Sequence, residues 1–408
     1  KFMRNLILLV ILLLAAKMTY SQNSGDVVIA KRVKIPSTIF GEERTIYVST
    51  PPGYDNSNDS YPVLYIINGA TDVIGLVRYI SGYDGVCPPL IIVSINVNPN
   101  RDMFPSKPKY SRGTQPSKPW YNKEENNELK VYRPDEKVGE ADKYLSFIEA
   151  ELFPFIEKNY RTVPFKICYG HSRGGLCVAH AFISHTSMFN GYIALNPSLY
   201  WDDGLVMRTA EEKLAGLDLK HKMFYFDIGE NEIPTTIGDA FTFAQTIRKN
   251  ASADLKWRFD YLPNIGHGDG TAIGIMNALK FIYEGWRFDT DKIKTEGFCA
   301  IDSFYKNQSE KYGYNISSDA GLLNGYGWGF VHDGKAEEAV KIFKENVRRF
   351  PDSPDAYNYL GEGYLAANNI DMSIKSYEKA LELATSLKDD KKMAFLKSRI
   401  ESIKAGKK

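Results

Sequence analysis

The sequence predicts an α/β domain, a mostly parallel sheet with helices on both faces, followed by a small all-α domain. Three observations carry that expectation. Strand-length runs at Tyr61 to Ile67, Leu90 to Val97, Gly191 to Leu195 and Lys222 to Ile228 alternate with helical segments, the pattern of strands buried on both faces. Phe165 to Tyr169 reads as a strand and Leu176 to Ile183 is apolar at helical spacing, so Gly170-His171-Ser172-Arg173-Gly174-Gly175 lies on a strand-to-helix turn. Finally, windows starting at Ala320 and Pro354, 34 residues apart, pair Leu323 with Tyr357, Gly327 with Gly361, Phe330 with Tyr364 and Phe343 with Tyr377.

In chain order, the first 22 residues carry basic residues, an apolar run from Leu6 to Ala16 and the small-residue site Thr19-Tyr20-Ser21. This predicts a cleaved signal peptide, a secreted or periplasmic protein and no stable membrane insertion after removal. Val27 to Thr38 and Glu43 to Thr50 alternate as an antiparallel hairpin turning at Gly41-Glu42. The strand Tyr61 to Ile67 runs into Asn68-Gly69-Ala70. From Asn98 to Gly139 periodicity fails, and Arg101, Trp120 and several tyrosines stand among prolines, which predicts a loop able to grip a ring or an anion. Ala141 to Tyr160 resumes a helix. Beyond Ser172 come a helix near Asp239 to Lys249, a last strand from Leu255 to Leu262 and a closing helix from Thr271 to Tyr283. The domains expected are 27–288 for the sheet and 298–405 for the repeats, with Phe298 to Tyr312 and Lys391 to Ile403 as caps.

With 51 basic and 50 acidic side chains among 408 residues and no basic block, nucleic acid is excluded as the expected partner. Of the four cysteines, Cys168 and Cys177 flank the turn and read as core thiols rather than a disulfide framework or metal site.

G-x-S-x-G on a strand-to-helix turn is a nucleophile elbow, which holds a serine hydroxyl above the sheet. Ser172 is therefore the expected nucleophile, and the Arg173 amide at the helix start faces a developing oxyanion. Among six histidines, only His267, between Gly266 and Gly268, falls on a loop after the final strand. His171 is expected to point away from the serine, and His180 and His185 lie in the elbow helix. The acid must leave the strand before the histidine's own, where the text reads Gly229-Glu230-Asn231-Glu232. Glu232 is the choice because it reaches further into the loop, with Glu230, Asp227 and Asp269 as alternatives and a Ser-His dyad as the remaining arrangement. Serine, acid and histidine in this order are those of an α/β-hydrolase.

Ile46-Tyr47-Val48-Ser49, Pro52-Gly53-Tyr54, Tyr61 to Tyr65, Gly170 to Gly175, Asn196 to Asp202 and Gly266-His267-Gly268 together resemble the putative-esterase branch of the α/β-hydrolases, which holds enterochelin (siderophore), feruloyl and acetylxylan esterases. The resemblance covers roughly Arg32 to Trp286. It implies an oxyanion hole from the amides of Arg173 and Gly69 or Ala70, and a substrate pocket near Arg101-Asp102 and Trp201. It departs from the family at Asn68, commonly aspartate, and at Arg173, often hydrophobic. The expected activity is hydrolysis of a siderophore or acylated glycan ester through an acyl-enzyme, with no metal or organic cofactor required. The rival expectation is a non-catalytic scaffold working through its repeats. The repeats match the tetratricopeptide pattern, so the second domain is expected to be tetratricopeptide-like. It is expected to serve packing or homodimer formation, with peptide contact as the alternative.

Overall fold

The structure, a computed structural model, describes residues 28–82, 86–107 and 137–406. The signal-peptide stretch and Trp120 lie outside the described residues. The chain divides between Arg287 and Phe288 into two compact units.

Eight strands form one sheet in the first unit: β1 (Lys31–Ser37), β2 (Glu42–Ser49), β3 (Tyr61–Ile66), β4 (Ile91–Ile95), β5 (Thr162–His171), β6 (Gly191–Leu195), β7 (Met223–Gly229) and β8 (Lys256–Leu262). Their spatial order is β1-β2-β4-β3-β5-β6-β7-β8. The pairs β1/β2 and β2/β4 are antiparallel and all others parallel. Every residue of β3, β4, β6 and β7 is buried, because helices cover both faces of the parallel part. Edge strand β1 instead alternates toward its end, and edge strand β8 is mostly half-buried or exposed.

The covering helices are α1 (Asp72–Gly82), α2 (Pro99–Asp102), α3 (Ala141–Phe147), α4 (Phe153–Asn159), α5 (Arg173–Ser184), α6 (Trp201–Lys213), α7 (Pro234–Asn250) and α8 (Thr271–Ile282). The single helix expected over 141–160 is interrupted by a wider π turn at Ile148–Leu152, where the Phe153 amide donates to the Ile148 carbonyl. Pro154 has no amide to give and its ring would crowd the carbonyl four residues back, and the wider turn relieves both. Helix α5 is buried along Gly174 to Ile183, with Phe182 stacked on Phe224 of β7 at 4.4 Å and 5°. Burying such a ring stabilises by roughly 1.5–3 kcal/mol, which makes the elbow helix part of the main core.

The second unit is all helix: α9 (Lys292–Glu296), α10 (Cys299–Tyr312), α11 (Ala320–His332), α12 (Ala336–Arg349), α13 (Pro354–Ala366), α14 (Ile370–Ser386) and α15 (Asp390–Gly406). Helices α11 and α13 start 34 residues apart (354 − 320), as do α12 and α14 (370 − 336). Each pair packs the same way. A Cβ on Gly327 would fall 2.4 Å from the Phe343 ring, and one on the equivalent Gly361 would fall 3.0 Å from the Tyr377 ring. The aromatic of the second helix thus packs closely against a stretch of the first that carries no side chain. The Asn346 amide adds bonds to the Ala320 carbonyl (2.9 Å) and Asn324 Oδ1 (2.7 Å). Side chains of Asp319, Ser353 and Asn369 cap the starts of α11, α13 and α14.

Gly327→Ala is expected to destabilise this unit by roughly 1–3 kcal/mol through overpacking against Phe343. Gly325→Ala, two residues away with no neighbour within 4 Å of its added Cβ, should instead gain about 0.5–1 kcal/mol of helix stability. Chemical denaturation followed by circular dichroism separates the two. Equal effects would overturn this account of the helix packing.

Candidate active site

Strand β5 ends at His171 and α5 begins at Arg173, so Ser172 makes the entire turn. Its backbone, at φ 58° and ψ −114°, is in a region that costs an L-residue on the order of 1–3 kcal/mol. Neighbouring backbone holds it there: the Ser172 amide donates to the Leu195 carbonyl (2.9 Å), and the Ser172 carbonyl accepts from Leu176 (3.0 Å) and Ser198 (3.2 Å). The flanking glycines are steric requirements. A Cβ on Gly170 would lie 2.3 Å from the Gly174 backbone, and one on Gly175 would lie 2.8 Å from the Leu195 carbonyl.

The strained turn aims the Ser172 hydroxyl at the loop after β8. Ser172 Oγ is 2.9 Å from His267 Nε2, and His267 Nδ1 is hydrogen-bonded to Glu232 Oε1. The Nδ1–H donates to the carboxylate, which leaves Nε2 as an acceptor for the serine proton. The Glu232 side chain is 7% exposed and the His267 side chain 50%, so the anion is enclosed while one imidazole edge opens to solvent. The neighbouring acids do other things. Glu230 Oε2 accepts from the Asn264 amide (2.7 Å) and holds the turn leading to the histidine. Asp227 lies buried in β7, its Oδ1 accepting from the Asn196 amide (3.0 Å). Asp269 sits in the turn beside Gly266.

Two residues beneath the histidine were missed by sequence reasoning. His171 does not point away from the site: its Nε2 donates to the His267 carbonyl at 2.6 Å, and the two ring centroids are 4.8 Å apart. Burial, and next the neighbouring His267, hold the His171 ring below its usual range, which keeps it neutral. Asn196 is the second, with φ +41°. Its Nδ2 donates to the same His267 carbonyl (3.4 Å) and its Oδ1 accepts from the Gly229 amide (2.9 Å). Both lie in stretches that carry the family resemblance, and their sequence signal was position, at the carboxyl ends of neighbouring strands β5 and β6.

The Arg173 amide, at the first position of α5, has no partner within the helix. The Asn68-Gly69-Ala70 turn abuts the same helix, since a Cβ on Gly174 would meet the Asn68 Cβ at 2.7 Å. Among the described residues the Arg173 guanidinium forms no ion pair with a carboxylate; it donates to Asn100 Oδ1 (2.9 Å) and lies 6.0 Å from the Phe104 ring. Phe104 is stacked on Trp201 at 3.5 Å and 6°, and the indole N–H is within 3.3 Å of the Ser106 carbonyl and hydroxyl. Trp201 is thus buried and holds the loop start rather than offering an open face.

Arg101 and Asp102 likewise differ from the expected substrate contact. Arg101 donates to Asp102 Oδ1 (2.6 Å) and Glu42 Oε1 (2.7 Å), and Asp102 Oδ2 also accepts from Arg44 (2.6 Å) and the Asn98 amide (2.9 Å). The Arg101 bond is the main cause holding the Glu42 carboxyl down at about 2. Buried charges must be paired, and here the pairing anchors the loop to β2.

The family model described as putative esterase matches residues 37–265. The chain is 33% identical over 103 residues to the siderophore enterobactin esterase of Emericella nidulans, 24% of this chain and 34% of that protein. It is 28% identical over 186 residues to the ferri-bacillibactin esterase of Bacillus subtilis, 42% of this chain and 59% of that protein. It therefore spans between a third and three-fifths of the length of these curated relatives. An IroE-like serine hydrolase from Shewanella oneidensis shares the fold, with a TM-score of 0.66 at 24% identity, covering 79% of this chain and 99% of that one.

Burial, opposed by the Asn196 bond and reinforced by the Asp260 charge, pushes the Asp227 carboxyl up from 3.8 to about 8. The unfolded chain ionises near 4 and the folded one near 8. Stability is therefore complete below the first value, falls between them by up to about 1.4 kcal/mol per pH unit, and levels off above the second. Asp227→Asn carries no such charge, so its melting temperature should gain on the wild type from pH 5.5 to 8 and no further above. Parallel melting curves across that range would overturn this assignment.

Proposed function

Because the chain belongs to the esterase family whose model it matches, we propose that it is a serine carboxylic ester hydrolase with Ser172, His267 and Glu232 as its triad. The observation that carries this reading is the run of hydrogen bonds from enclosed Glu232 through His267 to a serine on a strained elbow. Ser172 Oγ attacks the ester carbonyl as its proton passes to His267 Nε2, and Glu232 stabilises the imidazolium. The amides of Arg173 and of Gly69 or Ala70 receive the oxyanion, each such donor being worth on the order of a hundredfold or more in rate. The tetrahedral intermediate collapses, His267 returns the proton to the departing alcohol, and an acyl-enzyme remains. Water deprotonated by the same histidine then attacks the acyl carbon and frees the acid.

Siderophore esters are favoured over acylated glycans as the substrate class, since one relative is named as a siderophore enterobactin esterase and another as a ferri-bacillibactin esterase. The Arg173 guanidinium, beside the nucleophile and held by a neutral Asn100, leaves its positive charge uncompensated by that partner and suits an acyl group bearing catecholate oxygens. The apolar leader expected over the first 22 residues would place the enzyme outside the cytoplasm. The tetratricopeptide-like unit serves packing or self-association.

A fluorophosphonate probe should label the wild type and not Ser172→Ala. Against a panel of a catecholate siderophore, a feruloyl sugar, acetylated xylan and p-nitrophenyl acetate, the siderophore should give the highest kcat/KM. A glycan ester turned over faster would move the assignment to that class.

Ser172→Ala and His267→Ala should each lower kcat by on the order of a millionfold with the fold retained. Glu232→Gln should cost about ten-thousandfold, since it orients and stabilises without reacting. Glu230→Gln, whose side chain accepts from the Asn264 amide rather than from His267, should stay within about tenfold of wild type. The reverse ranking of the two glutamates in steady-state assays would reassign the acid.

A further inference from the structure

Helix α5 carries the nucleophile at its start and two histidines at its other end, His180 in its last turns and His185 at its C-cap. Both rings turn their Nε2 atoms to one oxygen of Asp142, in the first turn of α3. His180 Nε2 is 2.7 Å and His185 Nε2 2.9 Å from Asp142 Oδ1. The ring centroids are 5.9 Å apart with planes at 68°, and the three ligand atoms lie within 4.8 Å of one another. Side-chain exposure rises from 11% at His180 through 26% at His185 to 64% at Asp142. The cluster is therefore anchored inside and open to water outside.

A carboxylate has lone pairs on both oxygens, and two rings seeking only hydrogen bonds could use one each. Here both converge on Oδ1, and no bond to Oδ2 comes from any of the described residues. Two imidazoles and one carboxylate on converging axes are the donor set of a borderline divalent ion such as Zn2+; Ca2+ and Mg2+ take mainly oxygen ligands. With bonds of about 2.0–2.2 Å, neighbouring ligands of a tetrahedral zinc stand about 3.3–3.5 Å apart. The two Asp142 contacts are shorter than that spacing, while the ligand atoms spread over as much as 4.8 Å. Coordination therefore requires the exposed Asp142 carboxylate to withdraw and the partly exposed His185 ring to turn inward; three protein ligands then leave a fourth position for water.

We propose that His180, His185 and Asp142 bind one divalent transition-metal ion of the zinc class. At 1.5 Å of rise per residue, the 13 positions from Ser172 to His185 put the ion about 20 Å along the helix from the nucleophile, so it takes no part in the chemistry. Its work is to tie the far end of the elbow helix to α3, and so it is independent of the esterase assignment.

The full-length protein, stripped with a chelator and dialysed, is titrated with Zn2+ and in parallel with Mg2+, with bound metal counted by elemental analysis. The wild type should take up one equivalent of Zn2+ and rise in melting temperature. Asp142→Asn keeps an oxygen for the histidine N–H groups but loses the anionic ligand, and His185→Ala removes a nitrogen. Each should weaken Zn2+ binding by at least about a hundredfold and abolish the thermal shift. Hydrolysis of p-nitrophenyl acetate by the metal-free protein should be the same in all three. If His185→Ala fails to fold, Asp142→Asn decides alone. Zinc bound equally by wild type and Asp142→Asn, Mg2+ bound as tightly as Zn2+, or no saturable binding below about 0.1 mM would each overturn the proposal.

Discussion

The backbone of Ser172 is the constraint on which the candidate site of the first unit depends. An L-residue at φ 58° and ψ −114° relaxes unless its surroundings forbid it. What forbids it is the approach of three backbones within a few residues: β5 entering, α5 leaving, and the end of β6 running parallel beside β5 at Leu195. The Leu195 carbonyl accepts the Ser172 amide, and it is also the atom that a side chain at position 175 would strike. The glycines of the motif and the β5/β6 register are thus parts of one steric solution. Burial of α5 in the main core keeps the helix from backing away and releasing the strain.

The histidine is supported from below by a polar layer at the carboxyl ends of β5, β6 and β7. His171 and Asn196 both donate to the His267 carbonyl, Asn196 also takes the Gly229 amide, and buried Asp227 fixes the Asn196 backbone. Each group fixes the loop's backbone and leaves the imidazole ring to bond Glu232 and Ser172. Asp227 destabilises the folded state as pH rises, a cost consistent with positioning a site rather than maximising stability.

At the other rim, the Glu42, Arg44, Arg101 and Asp102 cluster ties the loop after β4 to the antiparallel strand β2. A buried ion cluster of this kind contributes little net stability against its desolvation, but breaking one partner leaves a charge stranded. Its effect is to fix where the chain leaves the sheet beside Arg173 and Asn100. The antiparallel hairpin, remote from Ser172 in sequence, thereby anchors the start of the loop whose Asn100 meets Arg173.

The sequence by itself determined the parallel sheet, the opening hairpin, the elbow at Ser172, the approach of His267 to that serine and the 34-residue helical repetition. These are written in local signals, since apolar runs report burial on both faces, glycine spacing reports close approach, and chain order reports which loops share a sheet edge. Only the tertiary structure sets Glu232 and Glu230 apart, two residues from each other in one loop, because one carboxylate meets an imidazole and the other a backbone amide 34 residues on. The same holds for His171 beneath His267, for Arg101 turned to Glu42 instead of a ligand, and for Asp142 between two histidines of another helix. Periodicity tells which way a side chain faces from its own element. Which atom it meets depends on the separation and rotation of elements joined by tens of residues, and that geometry exists only once the core has packed.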